Sequence, residues 1–354
     1  MPLDPQPLRA KVFPTVAHLA GGGMPTLVTL AGGASLRRYH RVTIPGGRPQ
    51  RLVVMELAGD RAASEEASKD TPSHELPFID VLRYLEAGGI AVPHLFHHDE
   101  AEGLLYLEDL GDITFESRVL GGAVDTQRRY YQAAIDELVR LQTYAAAHPT
   151  GCIAFRRGFD RELLRWELDH FREWGLEVGA GVQLSPAERT ELDAIFDNIA
   201  DRLAAEPRGF VHRDYQSRNL MVEDLPGEDR FRLRLIDFQD ALLGTRVYDL
   251  VALLRDSYVE LPAALLDDLV AYFATASGLD PVATRTLFDW QTVQRKLKDA
   301  GRFVYIDRVK KNPGFLVSIP SSHRYVDAAL ARLPELASLR ETLHRTMKGF
   351  GETP

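Results

Sequence analysis

Three polar side chains in one short stretch have the types and spacing to move a phosphoryl group. The stretch reads Gly209-Phe210-Val211-His212-Arg213-Asp214-Tyr215-Gln216-Ser217-Arg218-Asn219-Leu220-Met221-Val222. After a turn rich in Pro226, Gly227 and Asp229 comes Phe231-Arg232-Leu233-Arg234-Leu235-Ile236-Asp237-Phe238. Asp214 can accept or orient the proton of an acceptor hydroxyl. The amide oxygen of Asn219 and the carboxylate of Asp237 can hold Mg2+ against the phosphates of a nucleotide such as ATP. Taken singly, Asp214 and Asp237 would pass as turn carboxylates and His212 as a satisfied core histidine. Their joint order favours a chemical set, in which His212 reads as a brace for the loop.

The elements that must position this set divide the chain in two. Phe231, Leu233 and Leu235 alternate, giving a strand that delivers Asp237 at its end, and a hairpin brings Asn219 beside it. The first hundred residues are β-rich: Thr26–Leu30, Arg37–Ile44, Arg51–Leu57, His94–His98 and Leu104–Leu107 read as strands. Pro45-Gly46-Gly47 is a hairpin turn between the second and third. Pro77 opens a helix carrying Phe78, Val81, Leu82 and Leu85, closed by Gly88-Gly89. Between them the polar run Ala58–Glu75 predicts a mobile loop. From Asp125, a candidate cap, the chain turns helical; Phe159–Trp174 is a second helix, and Ser185-Pro186 with Glu188 starts a third with a capping box. A two-strand interruption spans Phe210–Phe238. The expected class is α+β, with a small antiparallel-sheet N-terminal lobe over 1–110 and a larger, mainly helical lobe over 111–354.

Composition excludes other classes. The 354 residues carry 42 Lys and Arg against 51 Asp and Glu, a net charge of −9. That balance disfavours nucleic acid or an anionic membrane as the main partner. Cys152 is the single cysteine, so neither an internal disulfide nor a multi-thiolate metal site is available. With no signal pattern and no apolar run near the ~20 residues of a membrane span, a cytoplasmic location is expected.

His-Arg-Asp-x-x-x-x-Asn followed by Asp-Phe resembles the catalytic and metal loops of the protein-kinase fold. In that frame Leu105-Tyr106-Leu107-Glu108-Asp109-Leu110-Gly111 resembles the hinge, where main-chain groups near Glu108 and Leu110 would pair with adenine. The metal loop reads Asp237-Phe238-Gln239-Asp240, with Gln239 where protein kinases carry Gly, and no Ala-Pro-Glu follows. Gly244-Thr245-Arg246-Val247-Tyr248-Asp249-Leu250 follows instead, similar to the aminoglycoside phosphotransferase and choline kinase superfamily. The likeness implies that Asp249 buttresses the catalytic loop.

A narrower resemblance rests on several segments. They are Ala34–Tyr39, Leu107–Asp112, Ile236–Ala241, Tyr248–Asp256, Gln294-Arg295-Lys296-Leu297-Lys298 and Pro313-Gly314-Phe315-Leu316. Over about Leu27 to Leu330 the chain is similar to the anomeric N-acetylmuramate/N-acetylglucosamine kinases. That likeness implies ATP-dependent phosphorylation of the C1 hydroxyl of an amino sugar, in peptidoglycan recycling. Another small-molecule kinase, acting on an aminoglycoside, choline or homoserine, and a nucleotide-binding pseudokinase stand as alternatives.

Two departures bear on phosphate binding. Gly32-Gly33-Ala34-Ser35 lacks G-x-G-x-x-G, so cradling by the backbone near Ser35 is only partly signalled. The third strand, Leu52-Val53-Val54-Met55-Glu56, carries Met55 where a kinase places Lys. Arg37 or Arg38 is then the candidate phosphate clamp; alternation lets at most one face inward. On the acceptor side, Arg295, Lys298 and Arg302 share a helix face, with Lys296 beside them. This is either a solvated basic face or a site for an anionic acceptor. Trp166, Trp174 and Trp290 offer faces to a pyranose ring, and the resemblance singles out Trp174 as closing the sugar site.

Overall fold

The computed structural model describes residues 6–30, 37–57, 75–227 and 230–352. Ser35 and most of the expected loop, 58–74, lie outside the described residues.

Five strands, β1 (Thr26–Thr29), β2 (Arg38–Thr43), β3 (Arg51–Glu56), β4 (Leu95–Asp99) and β5 (Leu104–Glu108), form an antiparallel sheet in the order β1-β2-β3-β5-β4. Alternation gives the sheet two buried faces. Leu27, Val42, Leu52, Val54, Leu104 and Tyr106 pack with Val12 and Val16 of helix α1 (Gln6–Ala20). Met55, Leu105, Leu107 and Tyr39 pack with Phe78, Leu82 and Leu85 of α2 (Pro77–Ala87). Each fully buried aliphatic chain contributes about 1.5–3 kcal/mol, so α1 is a working part of this lobe. Sequence reading missed α1 because Pro14 sits inside it and an internal proline ordinarily argues against a helix.

The larger lobe holds α3 (Phe115–Val119), α4 (Val124–Ala147), α5 (Arg161–His170), α6 (Pro186–Ala204), α7 (Tyr248–Leu254), α8 (Ala263–Ala276), α9 (Pro281–Lys310), α10 (Ile319–Leu330) and α11 (Ala337–Thr346). Ser185 and Glu188 form the expected capping box on α6. The cap of α4 is Ala123, and Asp125 falls in the first turn, where a carboxylate favours the helix dipole. The helix expected over Phe159–Trp174 starts later, with the Asp160 carboxylate accepting from the Leu163 N–H at 2.8 Å. It changes at Phe171 into a π-helical segment, Phe171–Gly179. Wider turns of this kind are rare and gather at functional sites.

The interruption holds more strands than the two expected. β6 (Arg208–Val211) pairs with β9 (Leu242–Thr245), and β7 (Leu220–Asp224) pairs with β8 (Phe231–Leu235) as the hairpin. Leu220 faces Leu235, and the Ile236 N–H donates to the Asn219 carbonyl at 3.0 Å. Among the described residues no helix is long and apolar enough to cross a membrane.

Candidate active site

The loop between β6 and β7 is held from below by three buried groups. Asp249, in the first turn of α7, accepts the N–H of His212 at 2.7 Å and of Arg213 at 2.9 Å. Asp256, just past α7, accepts the Ser217 N–H at 2.8 Å. From α9, Arg295 Nη1 donates to the Arg213 carbonyl at 2.9 Å. Arg213 has φ 79°; a left-handed non-glycine residue costs about 1–3 kcal/mol and persists only where its surroundings fix it. Here both sides of the residue are gripped, and the next residue is Asp214.

Asp214 keeps 34% of its side chain exposed and lies 3.6 Å from Arg295 Nη2. Asn219 Nδ2 donates to the Asp214 carbonyl at 2.8 Å. With the amide nitrogen committed there, the amide oxygen is left as an acceptor for a cation. Asp237 follows β8 with φ 65°, again the left-handed region at a turning point. Its side chain is 41% exposed. Enclosure by protein, and then the charge of Asp214, still raise its pKa above the usual carboxylate range. Phe238 is fully buried and its ring centre lies 4.9 Å from that of Phe78, which ties the turn after β8 to α2.

The donor set suits Mg2+: one carboxylate, one amide oxygen, and the remaining positions filled by phosphate and water. Among the described residues no group of three or more His, Cys, Asp or Glu stands ready to hold a metal unaided. A site completed by the nucleotide needs none.

The two arginines separate as alternation requires. Arg37 Nη1 approaches Asp237 Oδ1 to 3.9 Å, whereas Arg38 pairs with Glu56 at 2.9 Å on the sheet face that packs on α1. Arg38 is therefore corrected: strand geometry turns it away from the cleft. Met55 is fully buried in the apolar core beneath the sheet.

The segment expected as hinge is braced from both lobes. The Glu108 carboxylate pairs with Arg234 of β8. Arg41 of β2 holds Asp109 at 2.8 Å, Asp112 at 2.8 Å and the Gly111 carbonyl at 3.2 Å. Leu110 lies between these clamps, half-buried.

The solvated-face reading of Arg295, Lys296 and Lys298 is overturned. All three are buried, at 1%, 1% and 8% exposure. Asp299 supplies the counter-charge, 2.8 Å from Lys296 and 3.2 Å from Lys298. Burial would raise the Asp299 carboxyl, but Lys296, Lys298 and Arg295 hold it well below the usual range. Arg295 stacks on Tyr248 at 4.6 Å. Arg302 lies farther along α9, over the Tyr305 ring at 4.9 Å. Trp174, in the π-helical segment, meets Tyr305 edge-on at 5.0 Å. Gly301 permits this close packing, since a Cβ there would come within 2.8 Å of the Phe171 Cα. Trp290 is core, and Trp166 is 42% exposed and stacked on His170.

Sequence reading missed Asp256, Gln239, Arg41 and Arg234. Asp256 follows Asp249 by two helical turns, a usable signal. Gln239 Nε2 donates to Asp237 Oδ1 at 2.9 Å and to Asp240 Oδ2 at 3.1 Å, and its place between two acids was the clue.

His212 is fully buried, and burial pushes its pKa down to about 4, against the charge of Asp214 and the Ile236 backbone. The unfolded imidazole protonates near 6.5. Between these values the native state binds fewer protons, so stability falls as pH drops through the window. His212→Gln is expected to flatten that fall by up to about 3 kcal/mol in urea unfolding from pH 7 to 4. An unchanged slope would refute this. Asp249, whose carboxyl burial raises to about 7, takes up protons at higher pH in the native state than in the unfolded chain and acts in the opposite sense. Being present in both proteins, it cancels from the difference.

Residues 26–287 match the APH model, described as the phosphotransferase enzyme family. The chain belongs to that family. The phosphotransferase is 32% identical over 331 residues to an N-acetylmuramate/N-acetylglucosamine kinase of Pseudomonas aeruginosa, covering 91% of this chain and 89% of that one. It is 32% identical over 325 residues to the kinase of the same name from Neisseria meningitidis, covering 88% of each. Among solved structures, a microcompartment-associated aminopropanol kinase superposes with TM-score 0.59 at 16% identity, covering 92% of this chain and 98% of its own. An ADP-bound aminoglycoside phosphotransferase, APH(2'')-Ib, gives 0.57 at 13%, covering 90% and 95%. At such identities these structures establish the two-lobe kinase-like fold. The family match and the relatives named as kinases make the protein a kinase, for which ATP use is the family expectation.

Proposed function

We propose that the protein transfers the γ-phosphoryl group of ATP to the anomeric C1 hydroxyl of N-acetylmuramic acid and N-acetylglucosamine, in the cytoplasm, in the recycling of cell-wall sugars. The observation that carries this reading is the likeness, over most of the chain, to kinases named for those two sugars. The geometry around Asp214 supports the phosphoryl-transfer part of this reading and does not choose among acceptor hydroxyls.

In this reading Asp214 is the catalytic residue, accepting or orienting the proton of the sugar hydroxyl. Asn219 and Asp237 would hold Mg2+, which when bound offsets phosphate charge. Gln239 fixes the Asp237 carboxylate, and Arg37 adds positive charge beside it. Main-chain groups near Glu108 and Leu110 would meet adenine, and the lobe boundary falls between 110 and 111. Asp249 and His212 support the loop. Trp174, with Tyr305 and Arg302 behind it, would close the sugar side, and Lys298 would lie beneath. The partner is a small amino sugar, with neither nucleic acid nor membrane required.

ATP consumption is expected with either sugar, and phosphorus NMR of the product should give an anomeric C1 phosphate. A C6 phosphate would overturn the position. Failure to consume ATP with both sugars would overturn the amino-sugar reading.

A further inference from the structure

We propose that Arg295 is a positioning residue for phosphoryl transfer: from beneath the catalytic loop it fixes the Arg213 carbonyl and the Asp214 carboxylate, and it does not bind the acceptor. The inference rests on the reading of Asp214 given above.

Arg295 is 1% exposed, so no acceptor can reach its guanidinium without displacing protein. Both ends of that group are spoken for: Nη1 donates to the Arg213 carbonyl at 2.9 Å and Nη2 lies 3.6 Å from Asp214 Oδ1. Its flat face lies over Tyr248 at 4.6 Å. Arg213 is left-handed, and its two polar main-chain groups go to two different helices. The N–H is held by Asp249 at the start of α7, and the carbonyl by Arg295 on α9. Removing the second hold frees the Arg213 carbonyl from α9 and favours relaxation of φ at Arg213 and rotation of Asp214. A guanidinium suits this task because its planar fork serves two acceptors at a fixed angle, which a lysine ammonium does not reproduce. The buried Asp299 pairs with Lys296 and Lys298, whereas the carboxylate that the Arg295 guanidinium itself faces is that of Asp214.

The rival role, binding an anionic acceptor, predicts a different kinetic pattern. N-acetylmuramic acid carries a lactyl carboxylate and N-acetylglucosamine does not. If Arg295 positions Asp214, Arg295→Gln and Arg295→Ala should lower kcat about a hundredfold for both sugars. KM for both sugars and for ATP should stay within about threefold, since positioning acts on the reacting geometry rather than on ground-state binding. Added guanidinium at millimolar concentration should restore part of the Arg295→Ala rate, and ammonium should not. A selective rise in KM for N-acetylmuramic acid, or unchanged kcat in the variants, would overturn the proposal. Arg295→Lys, which retains the buried charge, carries the comparison should Arg295→Ala fail to fold; its kcat should also fall, with KM unchanged. Wild-type protein inactive on both sugars would indict the amino-sugar reading alone. In that case the slow hydrolysis of ATP by water supplies the same comparison, with the variants expected to lose it and an undiminished rate overturning the role.

Discussion

Asp214→Asn is expected to lower kcat by about two to four orders of magnitude while ATP affinity stays near wild type. The substitution is nearly isosteric, so the loop contacts made through the Asp214 carbonyl and the neighbouring main chain persist. What disappears is the anionic oxygen that takes or orients the hydroxyl proton. In the proposed reading the nucleotide is met elsewhere: by the segment near Glu108–Leu110, by Arg37, and by the metal that Asn219 and Asp237 would hold. A coupled ATP assay measures the first quantity, and calorimetry of nucleotide binding the second. Turnover within tenfold of wild type would remove Asp214 from the catalytic role.

Asp237→Asn should separate function from stability. Loss of the carboxylate proposed to hold the metal is expected to lower kcat by about 10³-fold and to abolish the Mg2+-dependent part of nucleotide affinity. The folded state should gain, because this carboxylate sits in an enclosed turn facing the charge of Asp214, which together raise its pKa. Asparagine also tolerates the left-handed backbone at this position. The melting temperature should therefore equal or exceed that of wild type, as expected where a site is organised for chemistry rather than for stability. A variant that retains Mg2+-dependent ATP binding would disprove the assignment.

The juxtaposition of the candidate site residues was legible because it is local. Asp214, Asn219 and Asp237 lie on one loop and one hairpin, so alternation in β8 and the spacing within the loop suffice to bring them together. The groups that hold the loop were less visible, since Asp256 and Arg295 arrive from separate helices. The stripe Arg295, Lys298 and Arg302 illustrates the limit. Helical spacing puts them on related faces, but it cannot tell a solvated face from a buried one whose counter-charge, Asp299, lies one residue beyond Lys298. The β6–β9 pairing was missed for a related reason: its partners are separated by an entire hairpin. Helix α1 was hidden by Pro14, although Val12 and Val16 already marked its buried side.

The double clamp on the segment between the lobes bears on nucleobase choice. Glu108 is engaged by Arg234 and Asp109 by Arg41, so neither carboxylate is available to read the exocyclic groups that distinguish adenine from guanine. Discrimination at the proposed hinge then falls to main-chain donors and acceptors and to the apolar walls of the cleft. If the nucleotide lies at this hinge, selectivity for the base would be written into the path of the backbone there, and Arg234 and Arg41 would govern it by holding that path.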